Sequence, residues 1–503
     1  MTTVFDRAGQ NGMRGPDATP SAEPQVPGRV RRAKRPSWFA RDPAWPIVAL
    51  CAGWPVWWFL GIGDYFPVLL AIPILRKMWL WRVRNERTIR LPPGFAIWAM
   101  FLVVVIAGVT VLSLTAPETV PSPTGNRVVS WGLRTGIYLG ITVLLVYAGN
   151  LTERELPRRR LAFQLGLVGI YAAVGGFIGV LSPHLQFTSP LAYIIPRGIQ
   201  ASNGQLQMML HPGFTQVQNI LGYDVGRSRA PFDYTNMWGN CLAILLPWLI
   251  VAWWCYGNRK ERRKTLIVLA IAFVPVVYSL DRGLWIGLGL SIAYLALRFA
   301  ARGKLAMLAG LCAVLALVAI IVVASPLQNL ISQRLSHGKS NASRSSLSGI
   351  AADDALSSPL IGYGDTRHAI GSPNSIVVGK TLKCHSCGSR DVGGNGQFWM
   401  MLITDGFLGA GLYCAFFIFG IWRYWRDPTP YGLVGVLVLI LGFPFMLVYV
   451  AVGPPLTWTM LGYAVLWKND RERQKEAAAA AAESAAELRA QLGSRATTAR
   501  AQA

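Results

Sequence analysis

Long apolar runs separated by short basic clusters recur from Trp45 to Trp467, and this succession restricts the chain to a membrane fold. A hydrocarbon layer offers no partner to backbone N–H and C=O groups, so only helices or closed barrels cross it. The many long apolar runs here, with few charges, have the length of bilayer-spanning helices. Helices are therefore expected. Charged residues make up only 14% of the 503 positions, against about 25% in soluble chains. The expected fold class is all-α: a polytopic membrane protein of about 12 transmembrane helices, with a large exterior loop between helices 9 and 10.

The twelve spans fall at 45–62, 65–81, 94–115, 130–149, 161–181, 236–256, 265–280, 283–299, 305–325, 397–422, 431–452 and 455–467. Pro67 and Pro73 interrupt the second, so the first two spans read alternatively as a shallow re-entrant hairpin. That alternative leaves every later side unchanged. With the N-terminus in the cytoplasm, cytoplasmic segments hold 35 of the 48 Lys and Arg residues, and the positive-inside rule puts both termini there. The expected location is the plasma membrane, multi-pass. The net charge of +24 is dispersed among span-flanking clusters, a pattern of topology rather than of nucleic-acid binding.

Three regions result. Residues 1–44 form a basic tail, rich in Pro, Gly and Arg, expected to be disordered and not a signal peptide. Residues 45–468 form the membrane domain, with 326–396 as its large exterior loop. Residues 469–503 form an Ala-rich cytoplasmic tail whose 475–491 stretch reads as a solvated helix. Cytoplasmic loops are too short to bind a nucleotide or nucleotide sugar. Chemistry is expected in the long exterior segments, 182–235 and 326–396.

Exterior arginines are few, and several stand at span ends. Arg227 and Arg229 precede the sixth span, Arg282 occupies the turn between the seventh and eighth, and Arg344 opens the large loop. A guanidinium matches phosphate oxygens bidentately, so the set suits a lipid-linked phosphate or pyrophosphate. The bland alternative is contact with lipid headgroups or local pairing, as of Arg282 with Asp281. In the large loop, Ser358-Pro359-Leu360-Ile361-Gly362-Tyr363-Gly364 and Gly393-Gly394-Asn395-Gly396-Gln397 are dense in glycine. Either their N–H groups approach an anion or sugar, or they make ordinary tight turns. Thr404-Asp405-Gly406 places an acid inside an apolar span, read either as a functional carboxylate or as part of a helix break. Cys384 and Cys387 are a disulfide candidate on the exterior side; their spacing matches no zinc site, and no metal is expected.

These pieces together resemble the O-antigen ligase/O-antigen polymerase superfamily. Arg229 to Asn236 is similar to that family's arginine-to-asparagine element before a span. Asp281-Arg282-Gly283-Leu284-Trp285 resembles its Ser-Arg-Gly-x-Trp turn, with Asp in place of Ser. Arg344 followed by Pro359-Leu360-Ile361-Gly362-Tyr363-Gly364 resembles its third element. The motif resemblance covers about 220–425, and the topology the whole chain. It implies a membrane glycosyltransferase that moves a glycan from an undecaprenyl-diphosphate donor to a glycan or lipid acceptor on the exterior face, for cell-surface polysaccharide assembly, without cofactor. Arg229, Arg282 and Arg344, with Arg227 and Asn236 nearby, are then the expected donor-pyrophosphate residues. The family places a histidine base just before the span after the large loop, where this chain has Gly394-Asn395-Gly396-Gln397. Asn395 and Gln397 become candidates for acceptor positioning, and His368, Asp365 and Asp391 for the base. A flippase, a peptidoglycan glycosyltransferase of the shape, elongation and division class, and a non-catalytic scaffold are the rival expectations.

Overall fold

Small residues decide how closely the helices of this bundle approach. The computed structural model describes residues 42–117, 119–120, 123–202, 204–219, 223–323, 328–329, 332–333, 339–369 and 391–502. Cys384, Cys387 and the side chain of Arg344 lie outside the described residues. The elements in order are α1 (Trp45–Ala52), α2 (Trp54–Leu60), α3 (Phe66–Val83), α4 (Phe95–Ala107), α5 (Thr124–Asn150), α6 (Arg158–Leu181), α7 (Arg197–Ser202), α8 (Gly204–Leu210), a hairpin of β1 (Thr215–Asn219) and β2 (Asp224–Ser228), α9 (Thr235–Leu249, continued by a π-helical turn Ile250–Cys255), α10 (Arg259–Tyr278), α11 (Arg282–Ala300), α12 (Leu305–Val323), α13 (Lys339–Ser357), the antiparallel pair β3 (Arg367–His368) and β4 (Asp391–Val392), α14 (Gln397–Tyr424), α15 (Pro430–Val448) and α16 (Pro454–Gln502).

The all-α membrane class holds. Among the described residues, however, six helices are long and apolar enough to cross a bilayer, not twelve: α5, α6, α9 with its π turn, α11, α14 and α15. The bent pair of Trp54–Leu60 with Gly63–Val83, folded back by 120°, raises the count to seven if it is one broken span. The missing spans have separate causes. The turn at Gly53 cuts the first expected span into α1 and α2, and Gly61, at φ +76°, ends α2. The apolar stretches in Phe95–Val111 and Leu305–Ile320 are short. The first two turns of α10 carry Arg259, Lys260, Glu261, Arg262, Arg263 and Lys264. The expected last span is the start of α16, which runs on through the polar tail without a break.

Helices α6, α9 and α15 are the most buried of these candidates. A Cβ on Gly166 of α6 would lie 2.7 Å from the Leu249 Cα, and one on Gly169 would lie 3.2 Å from Leu245 backbone. Both glycines therefore let α6 lie against α9, the small-residue packing usual where lipid removes the hydrophobic drive for helix association. Ala172 and Ala173 continue that buried stripe.

Polar contacts gather at two ends of the bundle. At one, Arg87 pairs with Glu155 at 2.7 Å, Arg159 with Glu261 at 2.8 Å, and Arg423 with Asp470 at 2.7 Å, while Arg158 donates to Asn469. These are the segments the charge count puts on one common side. The other end carries the described residues among those singled out above.

Candidate functional site

Three polar assemblies meet at this second end, joined by a continuous chain of contacts. The first is built on the β1–β2 hairpin and the turn before α9. Arg229, 3% exposed, donates to the backbone carbonyls of His211 (2.8 Å) and Asp233 (3.0 Å) and touches the Met208 sulfur. Burial raises the Asp233 carboxyl above the usual carboxylate range, with the Arg229 guanidinium opposing. Arg227, also buried, donates through Nε to the Ser279 carbonyl at 2.6 Å and through Nη1 to Gln218. Both arginines thus clamp backbone and side chain of their own surroundings. Asn236 is half-buried in the first turn of α9.

The second assembly is the turn into α11. Leu280, fully buried, holds φ +53°, a left-handed conformation that costs a non-glycine residue about 1–2 kcal/mol. That turn presents Asp281 as the N-cap. Its Oδ1 accepts from Gly283 N (3.1 Å) and Leu284 N (3.4 Å) and from the Tyr449 hydroxyl, while Arg227 supplies the nearest opposing charge. Asp281 is therefore committed to its helix end, to Tyr449 and to Arg227. Arg282 follows as the first residue of α11, half-exposed.

The third assembly surrounds a break in α14. Gly406 has φ +67° and ψ −173°, which interrupts the helix right after the buried Asp405. The orphaned carbonyls of Ile403 and Thr404 accept from Tyr363 N (2.8 Å) and Gly364 N (2.9 Å), and Phe407 N donates to the Pro359 carbonyl (2.8 Å). The Pro359–Gly364 turn thus replaces the missing helical bonds. Gly362 (φ +59°) and Gly364 (φ +72°) are required for this fit: a Cβ on Gly362 would lie 2.6 Å from the Ile403 oxygen. Of the two expectations for these glycines, backbone approach occurs, but toward α14; the N–H groups of Tyr363 and Gly364 are engaged there. The acid of Thr404-Asp405-Gly406 is fully buried and the helix breaks beside it, as the second reading of that segment expects. One Asp405 oxygen accepts from the Thr404 hydroxyl at 2.7 Å, and the other has no hydrogen-bond partner among the described residues.

Arg134 of α5 holds this turn in place. It donates to the Gly364 carbonyl and pairs with Asp365 at 3.5 Å, both side chains under 10% exposed. Burial raises the Asp365 carboxyl, and Arg134 pulls it back. Arg367, buried, donates to the carbonyls of Asp365 (2.8 Å), Tyr363 (3.0 Å) and Leu114 (3.1 Å). Burial and the neighbouring Arg127 lower its guanidinium to about 10. Gln397 closes the circuit: its amide donates to the Tyr138 hydroxyl (2.9 Å) and accepts from Ala451 N and Val452 N (3.1 Å each). Gln397 therefore ties α14, α5 and the turn before α16 together. Asn395 donates to the Ser348 hydroxyl of α13 at 2.6 Å.

Two of the base candidates stand face to face. His368 on β3 and Asp391 on β4 are direct cross-strand partners, and the His368 Nδ1 lies 2.6 Å from the Asp391 Oδ1. Both side chains are more than half exposed. His368 adjoins Arg367 on β3, which places the pair beside the third assembly.

The sequence reading singled out neither Arg134 nor Arg367. Arg127 and Arg134 are two turns apart on one face of α5, and such spacing inside an apolar stretch was the available signal. No family model, curated protein or solved structure matches this chain.

Proposed function

We propose that this protein is a membrane glycosyltransferase that moves a glycan from an undecaprenyl-diphosphate-linked donor to an acceptor on the exterior face of the plasma membrane, with both termini cytoplasmic. The observation that supports it most is the His368–Asp391 pair beside the arginine-rich end of the bundle. With its Nδ1–H donated to Asp391, a neutral His368 presents Nε2 as a proton acceptor, and the carboxylate stabilises the imidazolium that forms. The acceptor hydroxyl gives its proton to Nε2 as its oxygen attacks the anomeric carbon. The bond from that carbon to the diphosphate oxygen breaks, and the lipid diphosphate leaves. This pair takes the place of the histidine that resemblance expects near Asn395. Arg282 and Arg344 meet the departing diphosphate. Arg227 and Arg229 act through the clamps they form, positioning the hairpin and the turns around it.

The test is transfer of lipid-linked glycan in isolated membranes. His368→Ala and Asp391→Asn are each expected to slow transfer by about 10²–10⁴-fold with normal insertion, and the double variant to be no worse than the more severe single one. Wild-type rates in both single variants remove the dyad from the mechanism. Wild-type rates in Arg282→Ala remove the donor role.

The break in α14 favours a second reading, a flippase of lipid-linked glycans. Buried polar residues at a helix break are a feature of transporters. Under it, Asp405→Asn abolishes lipid-linked glycan movement in vesicles that form no transfer product, and the dyad variants leave that movement intact.

A further inference from the structure

A cavity of about 920 Å³ lies at the opposite end of the bundle, between the C-terminal turns of α14 and the polar continuation of α16. One wall is apolar: Ile418, Ile421, Trp422 and Trp425, with Trp422 72% and Ile418 54% exposed. The other carries Arg423, Arg426 and Arg473, with Asp427 and Asp470 beneath them. We propose that this cavity binds one anionic membrane phospholipid, its phosphate held by Arg426 and Arg473 and its acyl chains laid against Ile418, Ile421 and Trp422.

The acids beneath do not consume the arginines. Asp427 accepts from Thr429 N (2.9 Å), the Thr429 hydroxyl (2.8 Å) and Asn469 Nδ2 (2.6 Å), so it is satisfied before Arg473 approaches at 3.3 Å. It is also only 3% exposed. Asp470 accepts from Arg423 (2.7 Å) and Gln474 (2.9 Å). Arg426 is exposed and makes no ion pair with a described residue. A guanidinium has five N–H donors, so Arg473 keeps most of its own for a ligand. Three cations over two acids leave a net positive site, and a basic pocket between helix ends is the usual seat of an anionic headgroup. The exposed tryptophans place the same wall at headgroup depth. Free phosphate uses only the cationic wall, whereas a phospholipid covers both, which is why the lipid is the assigned occupant. This proposal rests on bilayer embedding and not on glycan transfer.

Native mass spectrometry of the detergent-solubilised full chain tests it, with phosphatidylglycerol and phosphatidylcholine as probes. The wild type is expected to retain one phosphatidylglycerol in preference to phosphatidylcholine. The double variant R426E/R473E should lose at least tenfold in retention, while R263E, a charge reversal on α10 away from the cavity, should not. Ile418→Trp keeps every charge and fills the apolar wall, so it should weaken retention as well. Equal loss in R426E/R473E and R263E overturns the site in favour of general surface charge. Displacement of the lipid by inorganic phosphate at matched concentration, or full retention in Ile418→Trp, overturns the lipid assignment. Glycan transfer enters none of these readouts, so either proposal can fail alone.

Discussion

Arg134→Met is the sharpest test of how the broken helix is held. The substitution keeps most of the side-chain volume and removes both the ion pair with Asp365 and the bond to the Gly364 carbonyl. With both partners under 10% exposed, leaving Asp365 without its counterion should cost about 3–5 kcal/mol. The loss should depend on pH. Burial already raises the Asp365 carboxyl, and Arg134 is the largest opposing influence, so its removal raises the carboxyl further. Folded Asp365 then binds its proton more tightly than the unfolded chain does. The variant's stability therefore falls as pH climbs above the ordinary carboxylate value of about 3.9. Below that value the carboxyl is neutral in both states, and the deficit shrinks to the lost bond to Gly364, about 1.5–3 kcal/mol for a charged donor. Thermal unfolding in detergent at about pH 5 and about pH 8 measures the difference. The double variant Arg134→Met/Asp365→Leu should recover much of the loss, since an apolar pair replaces a buried ion pair at little cost. A deficit independent of pH, together with a double variant no better than the single, would refute the reasoning.

Gly362→Ala should destabilise by about 2–4 kcal/mol, because the left-handed φ is disfavoured and the new Cβ meets backbone of α14 at 2.6 Å; Gly411→Ala, with open space around it, is the matched control in the same unfolding assay. Gln397→Leu should cost about 2–4 kcal/mol by leaving the Tyr138 hydroxyl and the Ala451 and Val452 N–H groups without their shared partner. If Gln397→Leu instead unfolds like the wild type while glycan transfer falls, the residue touches acceptor rather than holding the fold.

The run of apolar segments was enough to read the class, and segments expected on a common side do meet in the structure. The number of spans was not legible. Pro67 and Pro73 made a re-entrant hairpin readable as an alternative for the first two spans, but not the 120° bend between Trp54–Leu60 and Gly63–Val83. The break at Gly406 was legible as an option, since glycine follows a buried acid there. What heals it was not, because the partner is a turn forty or more residues earlier and hydrogen-bonds through backbone. Pro359–Gly364 shows glycine in its sequence without showing what the backbone approaches. Arg134 escaped notice because its charge is neutralised by a residue from the large loop. His368 and Asp391 were each readable as candidates, but only the strand register reveals them as one pair. Arg227 and Arg229, expected as donor ligands, donate to carbonyl and amide oxygens of their own chain, partners that only the fold brings to them.

The mended break in α14 also bears on how the protein is made. A helix that enters a membrane alone brings its hydrogen bonds with it, whereas α14 carries two carbonyls that only another segment can satisfy. That segment is synthesised first, so the Pro359–Gly364 turn is already present when Ile403 and Thr404 emerge. The opening turns of α14 and the Pro359–Gly364 turn are therefore one hydrogen-bonded unit, and α14 is complete as a membrane element only when both segments are in place.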